Sequence, residues 1–147
     1  MRLALQLARR HGRTVPLPEL AAAEGIQRPV AAKVLLRLRR GGVVVAARGR
    51  AGGYVLAGSP DEITVARVLR AVGEPLFGAS YCHKYRVAAD QPCSRVAGCS
   101  LRPVWAGLEA MLGRHLDRIT LADLLSSERA APHPENNGPR LPVAIGA

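Results

Sequence analysis

Residues 18–56 read PELAAAEGIQRPVAAKVLLRLRRGGVVVAARGRAGGYVL, and two helical patterns meet in them across Gly25. Pro18 and Glu19 suit a helical first turn, where proline gives up no hydrogen bond and a carboxylate faces the positive end of the helix dipole. The apolar face of this short helix runs through Leu20 and Ala23 and stops at Gly25. A longer helix begins near Pro29, carries Val30, Val34, Leu35 and Leu38 on one stripe with Arg28, Lys33, Arg37 and Arg40 largely off it, and ends at Gly41 and Gly42. Two short helices about a tight glycine turn, the second with cations on its free face, match helix-turn-helix spacing. Any solvated helix has a charged face, so the pair alone decides little.

The next residues decide more. Val43 to Ala47 is β-branched and apolar, Arg48 to Gly53 is a basic glycine-rich tip, and Tyr54 to Leu56 returns as strand. A β-hairpin directly after such a helix reads as the wing of a winged helix, although an ordinary exposed hairpin has the same pattern. In a wing, Arg48 and Arg50 reach phosphates or a minor groove, and Gly49, Gly52 and Gly53 let backbone come close.

Outward from this centre, Leu3, Ala4, Leu7 and Ala8 recur at helical spacing before Gly12. Ser59, Pro60 and Glu62 read as the capped start of a helix through Ile63, Ala66, Val68 and Leu69 to Gly73. Glu74 to Ser100 shows little periodicity, and a loop that long is expected to be functional or disordered, metal binding being one reason for its length. From Pro103 a helix carries Val104, Leu108, Met111, Leu112 and Leu116, a face too apolar to leave in water, so it is expected to pack on a partner subunit. Thr120 and Asp123 suit the start of a last short helix through Leu125. Beyond Ser126 come four prolines and two glycines, the composition of a tail disordered from about residue 129.

The expected class is mainly α with a small β component (α+β). The expected organisation is a winged helix-turn-helix over residues 1–73, a cysteine-bearing loop over 74–102, the long C-terminal helix with its short successor over 103–125, and a disordered tail over 126–147.

With 147 residues the chain suits one domain with an extension, able to bury a core without disulfide staples. No secretory leader stands out and no apolar run approaches the roughly 20 residues a bilayer span needs, so the expectation is a soluble cytoplasmic protein with no membrane partner. The formal charge is +10, and residues 1–50 hold eleven of the 21 basic residues against two acids, Glu19 and Glu24. That asymmetry favours a polyanionic partner, although an arginine-rich and alanine-rich composition can also reflect codon bias. Neither paired carboxylates nor a nucleophile elbow nor a phosphate loop stands out, and no enzyme is expected.

Cys82, Cys93 and Cys99 are the chain's three cysteines and fall within eighteen residues. Thiolates are the soft ligands that zinc, copper(I) and iron–sulphur clusters select. In a reducing cytosol an odd, clustered set points to a metal centre or a redox sensor rather than to disulfides.

Taken together, ELAAAEGI, the basic third helix, the wing ARGRAGGYVLAGSPDEITVARVLRAV and the cysteine segment ending CSLRPVW resemble the IscR and NsrR type of transcription regulators, over residues 1 to about 125. The resemblance implies a homodimeric winged-helix protein on palindromic operators in double-stranded DNA. It implies an iron–sulphur cluster, [2Fe–2S] in preference to [4Fe–4S], held by Cys82, Cys93 and Cys99 and sensing iron–sulphur status, nitric oxide or redox state. The recognition helix would run from about Arg28 to Arg40, with Gln27, Arg28 and Lys33 reading bases. Arg37, Arg48, Gly49 and Arg50 complete the expected DNA-binding set, and the Pro103 helix would form the dimer interface.

The chain departs from the family pattern in four places. The short strand and helix start that usually precede the first helix are missing, and Met1 is read as an internal start. Arg102 stands where the IscR branch has a ligating histidine, and a guanidinium stays protonated; the fourth ligand is therefore unassigned, with His83 a candidate that reads equally as a solvent-exposed histidine, and His115 read as a packed or surface residue of a helix. Ten residues separate Cys82 from Cys93 and five separate Cys93 from Cys99, where the best-known members have two short intervals. Loop lengthening is cheap, about 0.6 kcal/mol per doubling. Ala32 replaces a frequent acidic residue of the recognition helix, so base preference does not transfer. Two other readings stay open, a metal-free thiol-redox DNA-binding regulator and a zinc-stabilised interaction module, the latter disfavoured because no C-x2-C pair is present.

Overall fold

A computed structural model describes residues 1–49, 52–73 and 98–130. Their elements are α1 (Arg2–Arg9), α2 (Leu17–Ala23), α3 (Arg28–Arg40), β1 (Val44–Ala47), β2 (Gly53–Leu56), α4 (Val65–Val72), α5 (Leu101–Leu116) and α6 (Leu121–Ala130). The order helix, helix, helix, hairpin is that of a winged helix, and the mainly α class is as the sequence leads one to expect. Gly25 closes α2 with φ +62°, a left-handed value glycine adopts without strain, and Ile26 N–H then reaches back to the Ala21 carbonyl at 3.0 Å. That turn sets α3 against α2.

Leu3, Leu7, Leu20, Leu35, Leu38 and Leu121 gather in one fully buried core, so the last helix shares it with the first three. Each is worth roughly 1.5–3 kcal/mol against leaving it in water. The α3 stripe differs from the expected one. Ala31, Leu35 and Leu38 face inward at 0% exposure, whereas Val30 is 49% exposed. Leu35 and Leu38 belong to both stripes and Val34 packs partly buried against the core, so the difference is Ala31 in the place expected of Val30.

The hairpin is antiparallel in the register Val44↔Leu56, Val45↔Val55, Ala46↔Tyr54 and Ala47↔Gly53. Val44 and Leu56 are buried and Val45 is exposed, the period-two alternation of a sheet with one wet face. On the other edge of β2 an isolated bridge pairs Tyr54 with Val15 of the α1–α2 connection.

Helix α4 begins later than its sequence suggests. Ser59 and Glu62 do engage, Ser59 N–H donating to Glu62 Oε2 at 3.0 Å, but this closes a turn and not a helix. Thr64 is the cap, its Oγ1 accepting from Arg67 N–H at 3.2 Å. The reason is tertiary: Val65 N–H donates to Ile119 O at 2.8 Å and Leu121 N–H to Ile63 O at 2.9 Å, which holds residues 63–64 extended against the start of α6. Leu69, expected in the core, is 42% exposed.

At α6 the capping box forms, Thr120 N–H donating to Asp123 Oδ2 at 2.9 Å and Asp123 N–H to Thr120 Oγ1 at 3.1 Å. The helix continues to Ala130, beyond the expected end at Leu125 and into the stretch assigned to the tail, and Arg9 of α1 pairs with its Glu128. Helix α5 starts at Leu101, two residues before Pro103, which its first turn accommodates. No helix among the described residues is long and apolar enough to cross a membrane.

Candidate nucleic-acid interface

The solvent face of α3 is built by what its inner face buries. With Ala31, Leu35 and Leu38 inward, helical geometry turns Pro29, Lys33, Leu36, Arg37 and Arg40 outward, and all are exposed. Gln27 is the N-cap residue, extended at φ −65° and ψ 138°, and is exposed together with Arg28, the first helical residue. Lys33 and Arg37 therefore share the accessible side of the helix, while Gln27 and Arg28 are exposed because they stand at its open first turn. Val30 lies on the edge of that face, where sequence periodicity puts it inside.

In the hairpin Arg48 and Gly49 are exposed at the tip, and Gly49 has φ +117°, a conformation side-chain-bearing residues rarely adopt. Gly52 N–H closes the turn onto Gly49 O at 2.9 Å. Arg50 lies outside the described residues.

The ion pairs sort the cations into two groups. Arg2 pairs with Glu24 at 2.5 Å, Arg10 with Glu19 at 3.8 Å, Arg9 with Glu128 and Arg70 with Asp117. Glu24 is the best-buried partner, its side chain 5% exposed and also accepting from Gln6 Nε2 at 2.6 Å. The two acids of the N-terminal fifty residues are thus both spent on α1 and the residue that ends it. Among the described residues none of Arg28, Lys33, Arg37, Arg39, Arg40 and Arg48 pairs with a carboxylate. An uncompensated cationic face on α3 and the wing suits phosphate, and hydrogen-bonding side chains at the helix start suit base edges. Arg37 has a second engagement, donating through Nη1 to Val72 O at 2.9 Å. Nothing in the sequence signals it, because the acceptor is a backbone atom 35 residues away.

Of the three cysteines only Cys99 falls among the described residues; Cys82, Cys93 and His83 lie outside them. Cys99 is a free, half-buried thiol whose carbonyl accepts from Arg102 N–H at 3.3 Å at the opening of α5. A bond made by its sulphur would act directly on that helix. Sulphur donors fit iron–sulphur clusters and zinc alike. Arg102 and His115 are exposed on α5.

No residue of α5 is buried, and Val104, Leu108, Met111 and Leu112 present an apolar strip with exposures of 40% to 62%. Between α4 and α5 lies an open cleft of about 660 Å³ whose apolar lining includes Leu69, Val72, Leu112 and Leu116.

Residues 1–127 match the sequence profile of the Rrf2 family, described as iron-dependent transcriptional regulators. The HTH-type transcriptional regulator IscR of Aliivibrio salmonicida (strain LFI1238) is 32% identical over 111 residues, covering 76% of this chain and 62% of that protein. The chain thus spans less than two thirds of that relative's length. Among solved structures, T. potens IscR superposes with TM-score 0.64 at 27% identity, covering 89% of this chain and 84% of that one. CymR of B. subtilis, described as its global cysteine regulator, superposes with TM-score 0.62 at 27% identity, covering 86% of this chain and 89% of that one. The family and these relatives are regulators rather than enzymes, in line with the sequence reading.

Proposed function

We propose that this chain, which belongs to the Rrf2 family of transcriptional regulators, binds operator DNA as a homodimer and changes its affinity with the state of its three cysteines. The observation that carries the DNA-binding half is the cationic face of α3 and the wing, which among the described residues meets no carboxylate while Arg2, Arg9 and Arg10 are paired. Gln27, Arg28 and Lys33 would read bases, and Arg48 with Gly49 would meet the sugar-phosphate backbone. Arg50, next in sequence, would serve with them. Dimerisation through the apolar strip of α5 would put two recognition helices on half-sites of dyad symmetry, about one helical turn apart.

In the sensing half, Cys82, Cys93 and Cys99 would hold an iron–sulphur cluster, [2Fe–2S] in preference to [4Fe–4S], with the fourth ligand unassigned. The donor set and the IscR likeness support this. The cluster would supply a bond network that breaks on oxidation, nitrosylation or iron loss. Cys99 stands two residues before α5, so that event would reach the helix through which the dimer would form. A second reading keeps the DNA-binding fold and makes the same cysteines direct thiol sensors, and the likeness to CymR favours it. Anaerobic purification with visible spectroscopy and iron and sulphide analysis, repeated on Cys99→Ala, separates the two. Charge-transfer bands that vanish in the variant support the cluster. A colourless, iron-free protein after reconstitution, whose DNA affinity still responds to peroxide, supports the thiol sensor.

A further inference from the structure

The chain leaves α4 at Val72, turns extended at Gly73 (φ −119°, ψ 162°) and enters the segment that carries the cysteines. A helix end leaves its last carbonyls without intrahelical partners, and here the recognition helix supplies one: Arg37 Nη1 donates to Val72 O at 2.9 Å. Two more contacts tie the same ends together. Arg67 of α4 donates through Nη2 to the Gly42 carbonyl at 2.7 Å, at the root of the wing. Gly41 lies so close to α4 that a Cβ there would meet Ala71 Cα at 3.0 Å and Ala71 Cβ closer still. The end of α3, the root of the wing and the end of α4 therefore form one joint, made of two guanidinium-to-carbonyl bonds and a backbone-to-methyl contact. Both acceptors are main-chain atoms, so the joint answers to where α4 ends and not to the ionisation of a side chain.

We infer that Arg37 is a positioning residue for DNA binding and not a phosphate ligand: it transmits the position of the α4 C-terminus to α3 and so sets how recognition helix and wing meet the duplex. The inference deepens the regulatory reading above and rests on it. On that reading, a change of state at the cysteines that shifts the Gly73 end of α4 would pass to α3 through Arg37. Arg37 sits in the last turn of α3, away from the base-reading start, and the carbonyl end of α4 is electrostatically favourable for a guanidinium.

The test measures operator affinity of the anaerobically purified full chain over a salt series, before and after alkylation of its cysteines with iodoacetamide, for wild type, Arg37→Met and Gly41→Ala. The operator is one selected by the protein itself. In the wild type alkylation is expected to change affinity by a factor in the roughly 5–150-fold range of coupled sites. In Arg37→Met that ratio falls toward one while the salt slope is unchanged. Gly41→Ala keeps the guanidinium, forces α3 off Ala71 and is expected to reduce the ratio too, so a poorly folded Arg37→Met does not end the test. A salt slope lowered by about 0.9 in Arg37→Met makes Arg37 a phosphate ligand and overturns the inference, as does a ratio left intact in either variant. These results leave the regulatory reading standing. A wild type with no response to alkylation overturns that reading and the inference with it.

Discussion

Val15 and Tyr54 exchange backbone hydrogen bonds in both directions, each 2.9 Å, so the connection between α1 and α2 acts as a one-residue third strand on the outer edge of β2. The wing is thereby fastened to the helical core on the side away from β1, and a two-stranded ribbon that would be marginal alone gains a fixed orientation.

Gly53 is where that fastening is tightest. A Cβ at this position would fall 2.6 Å from the Val15 carbonyl carbon and 2.9 Å from Pro16 N, both backbone atoms with little freedom to yield. Gly53→Ala is expected to destabilise the protein by about 1–3 kcal/mol in urea melts. It is also expected to weaken operator binding more than stability alone explains, because the wing is displaced; an unchanged midpoint would contradict the bridge.

The exposure of Val30 on α3 gives a paired prediction. Leu35→Ala removes a fully buried side chain and is expected to cost about 2–5 kcal/mol, whereas Val30→Ala, at a half-exposed position, should stay within about 0.5 kcal/mol. In chemical denaturation a Val30→Ala cost as large as that of Leu35→Ala would put Val30 inside, as the sequence pattern suggests.

The Asp123 carboxyl is held below its ordinary value of 3.8, first by the Thr120 backbone N–H and then by the Thr120 hydroxyl, with desolvation opposing. A depressed carboxylate contributes stability that is complete above its unfolded value and lost as pH falls through the lower folded value. Wild type is therefore expected to melt higher than Asp123→Asn at neutral pH, with the gap closing below pH 3.8. A gap independent of pH would contradict the capping box.

Leu108 is 45% exposed in the apolar strip of α5. Leu108→Glu places a charge where a dimer would bury it and is expected to turn the sedimentation profile from dimer to monomer at micromolar concentration without lowering helix content. A dimer that persists moves the interface elsewhere.

Most of the fold is legible in the sequence because its boundaries are local. Gly12, Gly25, Gly41 and Gly42 punctuate three short helices, and the strand pattern of Val43 to Leu56 carries its own basic tip. The features that escape depend on partners far along the chain. The Ser59–Glu62 hydrogen bond is real, yet pairing of residues 63–65 with 119–121 keeps the next residues extended and moves the helix start to Val65. Val30 and Ala31 both stand at helical spacing from Leu38 and Leu35, so periodicity alone does not decide that Ala31 is the one buried. Within the candidate interface Gln27, Arg28, Lys33, Arg48 and Gly49 stand exposed. The tie of Arg37 to Val72 is invisible in the sequence because a backbone carbonyl has no residue identity.

Binding of duplex DNA by α3 and the wing is tested by selecting duplexes from a random pool with the purified chain and titrating the winner across a salt series. Dyad-symmetric sequences are expected to be enriched, with an affinity that falls linearly in logarithmic salt. In Arg48→Met the slope should shrink by about 0.9 for each phosphate that Arg48 neutralises. No enrichment, or an affinity indifferent to salt, would contradict it.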